Sequence, residues 1–165
     1  MSIVKQNLCF LPARFLLRYG VVCCFVVHGL DVLATSPGLK KSVDLHFINF
    51  CNSIGYARIG IYNNPKTFCN ESIKPFREVS GKIVGNECLI EIFDLPDGEY
   101  ALTLLHDEND DLVMNYNFLG LPKEGYAFSN NAFPVLSKPS FNSCKIKVVA
   151  GAIVTQTIKV RYLLK

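Results

Sequence analysis

Residues 87–105 read ECLIEIFDLPDGEYALTLL, and this stretch decides the fold. Cys88, Ile90 and Ile92 alternate with Glu87 and Glu91. A period of two puts successive side chains on opposite faces of an extended chain, so this is a strand with one buried face. Leu95-Pro96-Asp97-Gly98 is a tight turn, in which proline presets one dihedral and glycine supplies a positive φ. Glu99 to Leu105 returns as a strand with Tyr100, Leu102 and Leu104 on one side. The two strands read as a neighbouring pair.

The same period recurs on either side. Val43, Leu45 and Phe47 alternate with Asp44 and His46, and Asn52-Ser53-Ile54-Gly55 is a turn. Ala57, Ile59 and Ile61 then alternate with Arg58, Gly60 and Tyr62, which predicts a hairpin with the first strand. Phe76 to Val84 holds one or two short strands around Gly81. Beyond the quoted stretch, Cys144, Ile146 and Val148 alternate, Ala150-Gly151 turns, and Ile153 to Leu164 forms a last strand. Its apolar face carries Val154, Ile158, Val160 and Tyr162. No segment keeps a helical period for three turns. About seven short strands joined by tight turns predict an all-β, single-domain β-sandwich over residues 43–165. Half of the 165 residues are apolar, enough to bury one core.

The N-terminus has a different character. Lys5, Arg14 and Arg18 precede an apolar run from Tyr19 to Val27, which His28 and Asp31 break. Val32-Leu33-Ala34 offers small or short residues before Thr35. This predicts a signal peptide over residues 1–34 and a linker over 35–42, with Pro37 and Gly38. An uncleaved anchor and a buried segment of the domain are the alternatives. The run is shorter than the roughly 20 residues that span a bilayer, so no membrane span is expected after cleavage. A periplasmic or extracellular location follows. Three of the 17 basic residues lie in this segment, leaving 14 scattered against 13 acids. That balance has no footprint for nucleic acid or an anionic membrane.

Seven cysteines fall into two groups. Cys9, Cys23 and Cys24 belong to the signal segment. Cys51, Cys69, Cys88 and Cys144 remain, and an oxidising compartment allows two disulfides among them in any of three connectivities. Buried thiols, at Cys88 and Cys144 especially, are the alternative. There is no C-x-x-C, so no zinc knuckle or thioredoxin-like motif is read.

Between the central strands and the last two lies a long polar loop, His106 to Asn131, continuing irregularly to residue 142. Loops in compact domains usually run ~4–6 residues. Tyr116, Phe118, Leu121, Tyr126, Phe128, Phe133 and Phe141 give this one apolar area, so it reads as an ordered cap rather than a disordered segment. Asp107-x-Asn109-x-Asp111 has the alternate-oxygen spacing of a calcium loop, and Asn115 adds an oxygen. The alternative is a solvated acidic turn held by Asx hydrogen bonds. His106 could act as a general base toward Ser129 or Ser140. Ser129 lacks the G-x-S-x-G context, and His106-Asp107 could equally tie the loop to the strand end. Glu124 and Asp107 could form a carboxylate pair. Tyr126 to Asn131 combines aromatics with amides, which suits sugars or peptides; the alternative is that Tyr126 and Phe128 pack under the loop while Asn130 and Asn131 adopt turn conformations. His106, Tyr126, Ser129 and Asn130 are the candidate ligand-binding residues. Asp107, Asn109, Asp111 and Asn115 are the candidate calcium ligands, and no catalytic residue is assigned.

The stretches Leu95 to Ala101, His106 to Asn109, Asn117 to Asn131 and Lys138-Pro139-Ser140-Phe141 resemble a bacterial family of secreted proteins, domain of unknown function 2141. The resemblance runs from about residue 43 to 163 and is most specific over 95–141. It implies a transthyretin-like, Greek-key sandwich of the envelope or exterior, and implies no activity. The family's pattern has a Gly where this chain has Leu112 and an Asp where it has Asn115. Leu112 resists the sharp turn that Gly allows. The reading is of an exported β-sandwich serving as a non-enzymatic binding or structural module of the cell envelope. Its expected partner is a protein or carbohydrate, and no cofactor is required. A calcium-binding module through residues 107–115 and a hydrolase using His106 are the alternatives.

Overall fold

The structure is a computed structural model that describes residues 40–70, 72–134 and 137–164. The predicted signal peptide and most of the linker lie outside the described residues. The strands are β1 (Lys41–Ile48), β2 (Tyr56–Tyr62), β3 (Arg77–Gly81), β4 (Glu87–Phe93), β5 (Gly98–Asp107), β6 (Gly125–Phe128), β7 (Ile146–Val148) and β8 (Val154–Lys159). One sheet has the order β4-β1-β8. The other runs β3-β2-β5, with β6 and β7 both on the far edge of β5. The all-β, two-sheet expectation therefore holds.

The alternation identified the buried faces. Val43, Leu45, Phe47, Ala57, Ile59, Ile61, Cys88, Ile90, Ile92, Tyr100, Leu102, Leu104, Ile146, Val148, Ile158 and Val160 all point into one core. Each large aliphatic side chain there contributes about 1.5–3 kcal/mol by leaving water. Truncating a fully buried one, such as Leu45→Ala, costs about 2–5 kcal/mol.

The pairings differ from the expected hairpins. β1 pairs with β4, antiparallel, and with β8, parallel, from Val43 beside Val154 to Ile48 beside Lys159. β2 instead pairs with β3 and β5. The expected pairs β1/β2 and β4/β5 are each split between the two sheets. The connections 49–55, 82–86, 94–97 and 149–153 all step from one sheet to the other. Packed sheets lie about 10 Å apart, which a few residues span. An arch of this kind needs the same Gly, Asn, Asp and Pro residues as a hairpin turn, so composition does not separate the two.

The long loop also contains more structure than expected. β6 lies within it, with Leu104 opposite Ala127. β7 continues along the same edge of β5, with Tyr100 opposite Ile146. Between them the chain makes a 3-10 turn (Ser129–Asn131) and a short helix α1 (Phe141–Cys144). Cys144 thus ends a helical turn and does not begin the strand. Ser140 caps α1 by accepting the Ser143 N–H at 3.2 Å. Phe141 and Cys144 pack on Ala101, with Tyr62, Phe68 and Phe128 around them, as a second small cluster on the outer side of the sheet.

No disulfide joins any of Cys51, Cys69, Cys88 and Cys144 to another. The fold separates them. Cys88 faces the main core, Cys144 the outer cluster, Cys51 sits in the β1–β2 arch, and Cys69 in the β2–β3 connection. Burial pushes the Cys88 and Cys144 thiols above their ordinary pKa, which suits inert core thiols.

Candidate functional site

The outward residues of the five-stranded sheet form two rows across the strands. One is Ser80, Arg58, Leu105 and Tyr126; the other is Glu78, Gly60, Thr103 and Phe128. The β2–β3 connection and the 108–124 loop rise on either side, leaving a groove of about 580 Å³. Gly60 and Thr103 make its floor, Tyr62, Tyr126, Phe128 and Tyr116 supply rings, and Arg58, Lys74 and Lys138 bring positive charge to its edge. Gly60 keeps the floor low, because a Cβ there would lie 2.9 Å from Thr103 Oγ1 and 3.0 Å from the Tyr62 ring.

The polar half of the loop is tied down by three carboxylates. Asp107 is fully buried at the end of β5. Its Oδ2 accepts from Arg58 Nε at 3.1 Å and from Leu112 N at 3.2 Å, and its Oδ1 accepts from Asp111 N at 3.1 Å. Glu124, also buried, accepts from Glu108 N at 3.2 Å and Asn115 N at 3.0 Å. The two acids read as a candidate carboxylate pair each hold backbone N–H groups of the loop. Asp111 accepts from Asn109 Nδ2 and Asn115 Nδ2, both at 2.8 Å, and from Val113 N at 3.0 Å. Those donors, Asn115 first, hold its carboxyl below the ordinary value. The four candidate calcium ligands thus share one neighbourhood, but amide N–H groups point where a cation would bring positive charge. Leu112 sits at φ 68°, the left-handed conformation that the family's Gly would take without strain.

His106 is buried beside this turn and faces the other way. Its Nε2 donates to the Ile54 carbonyl at 2.9 Å, so in the neutral ring Nδ1 carries the lone pair and accepts from the Tyr162 hydroxyl at 2.7 Å. The Tyr162 hydroxyl in turn accepts the Cys51 N–H at 3.1 Å. Burial raises the Tyr162 pKa well above its ordinary value, so the phenol stays protonated. Two glycines permit this packing. At Gly55, φ is 72° and a Cβ would fall 1.9 Å from the Asp107 carbonyl oxygen; at Gly125 it would fall 2.4 Å from the Tyr162 ring.

The candidate ligand-binding residues are distributed over different places. Tyr126 lines the groove. It also exchanges both backbone bonds with Arg161, at 3.0 and 2.9 Å, which closes one side of the sandwich. Asn130 clips the 3-10 turn to β8, exchanging bonds with the Gln156 side chain at 3.0 and 2.6 Å. Ser129 plugs the gap where β6 gives way to β7. Its hydroxyl accepts Leu102 N at 2.9 Å and donates to the Cys144 carbonyl. Among the described residues no hydrogen bond joins His106 to Ser129. Sequence reasoning passed over Arg58, Gly60 and Thr103 because each looks ordinary in its own segment and only the cross-strand register sets them side by side; Tyr116 read as part of the cap, and the fold of the loop brings it to the groove.

Fold and surface together define a two-sheet β domain with a ring-lined groove on the outer face of its larger sheet. The chain belongs to the family described as an uncharacterized protein conserved in bacteria (DUF2141), whose model matches residues 46–156. No curated protein and no solved structure matches the chain. No helix among the described residues is long and apolar enough to cross a membrane.

Proposed function

We propose that the chain is an exported, non-enzymatic binding module of the cell envelope whose outer-face groove takes an oligosaccharide. The observation that carries this reading is the groove itself, with rings at Tyr62, Tyr116, Tyr126 and Phe128 above a floor of Gly60 and Thr103. Sugars present C–H faces that stack on aromatic rings and hydroxyls that need hydrogen-bonding partners. Thr103, Ser80, Asn70, Glu78 and Arg58 supply such partners along the groove. Export is supported by the basic residues ahead of the apolar run at Tyr19 to Val27.

A glycan array followed by calorimetry tests the binding. Tyr116→Ala removes a partly exposed ring, and Thr103→Trp fills the floor. Both variants are expected to keep the wild-type circular dichroism and to weaken glycan binding at least about tenfold. Failure of the wild-type chain to bind any glycan at millimolar concentration removes the proposal. Fractionation of the producing cells tests export. The expected mature chain starts at Thr35, and recovery of the intact N-terminus in the cytosol overturns that part.

A further inference from the structure

The geometry points to a transition-metal site, of zinc type, at the opposite face of the His106 turn from the acidic loop. Its ligands are Cys51 Sγ, His106 Nδ1 and Glu108 Oε1, which all lie within 4.8 Å of one another. Sγ to Oε1 is 3.9 Å and Nδ1 to Oε1 is 4.0 Å. Bonds of about 2.0–2.3 Å to a tetrahedral zinc imply ligand–ligand edges of roughly 3.3–3.8 Å. The two edges at Oε1 exceed those separations by a few tenths of an ångström and the third is within 4.8 Å, so an inward turn of the exposed Cys51 closes the set.

The donor set selects the ion. Thiolate, imidazole and carboxylate together suit a borderline-soft cation, whereas calcium and magnesium ask for oxygen alone. Two features beyond proximity point the same way. The Ile54 carbonyl takes the Nε2–H of His106, which leaves the lone pair on Nδ1, where the Tyr162 hydroxyl donates to it at 2.7 Å and Glu108 Oε1 lies at 4.0 Å. That is the arrangement of metal-bound histidines, whose second ring nitrogen donates to a carbonyl or carboxylate. Asn52 Nδ2 donates to Cys51 Sγ at 3.3 Å and to Glu108 Oε2 at 3.1 Å, so one amide orients two ligands and leaves Oε1 turned inward. On binding, the Cys51 thiol gives its proton to solvent and forms the metal–sulfur bond. The Tyr162 hydroxyl gives up Nδ1 and becomes the partner of a water at the fourth position.

Cobalt(II) titration of the full, reduced chain reads the site directly. One equivalent should produce an ultraviolet thiolate-to-cobalt charge-transfer band and the intense visible bands of tetrahedral cobalt, both displaced by zinc. Cys51→Ser should lose the charge-transfer band while keeping the wild-type circular dichroism, and Cys69→Ser should retain it. Asn52→Ala should weaken zinc binding about 10–100-fold, the cost of losing an orienting partner. Absence of the charge-transfer band in the wild-type chain overturns the inference. So does a band that survives undiminished in Cys51→Ser, since a different thiol would then carry it.

Discussion

Asp107 and Glu108 are adjacent carboxylates with opposite surroundings. Asp107 turns inward and is saturated, accepting from the Arg58 guanidinium and from two backbone N–H groups. Glu108 turns to the other side, toward Asn52, Cys51 and His106. The calcium-like spacing begins at Asp107, yet the carboxylate with other ligand atoms around it is Glu108. Spacing in sequence locates oxygens. Which groups surround those oxygens decides whether they meet backbone N–H groups, as at Asp107, or a thiol and an imidazole, as at Glu108.

The largest expected effect tests that contrast. Asp107→Ala removes the acceptor of Arg58 Nε, whose guanidinium keeps Asp110, and leaves two loop N–H groups without theirs; it should cost about 3 kcal/mol in urea denaturation. Glu108→Gln keeps an oxygen for Asn52 and should stay within about 0.5 kcal/mol of wild type. Equal losses for the two would erase the distinction. Next, Leu112→Gly relieves the left-handed strain at φ 68° in an exposed position. It should raise stability by about 1 kcal/mol, after glycine's own entropy cost is subtracted; a loss would mean that the Leu112 side chain holds the groove wall. A smaller effect follows from Asp111. Its folded pKa lies below the ordinary 3.8, so its contribution is complete above that pH and disappears as pH falls through the lower folded value. Asp111→Asn should therefore lower thermal stability slightly at neutral pH and converge with wild type as the pH falls through the folded value, which flattens the acid limb. Smallest of all, millimolar calcium compared with chelator should leave the melting temperature where it is, because the turn already supplies its own donors. A clear rise would show that a native-state calcium site exists after all.

The legible part of this molecule was the part governed by local chemistry. Inward and outward faces follow from a period of two within a single strand, and Leu45, Ile59, Ile90 and Leu102 all sit where that period placed them. Partnership between strands depends on where each arch crosses the core, and Asn52 to Gly55 has the same turn residues whether it closes a hairpin or spans two sheets. β6 was missed because Gly125 to Phe128 is only four residues long and its first three are all buried, so it shows no alternation. The groove and the Cys51–His106–Glu108 cluster were illegible for the same reason. Cys51 and His106 lie 55 positions apart and meet only because the β1–β2 arch folds over the end of β5.

The divided edge strand has one more consequence. β6 and β7 are each registered separately against β5, and the Ser129 hydroxyl fills the break between them. Asn131 and Ser140, the two ends of the interval between these halves, are therefore held independently of each other. Residues inserted or deleted in that interval lengthen or shorten the excursion without sliding either half of the strand. It is a natural splice point, where a family could vary its outer surface, or an engineer could graft a peptide, while the sheet beneath keeps its register.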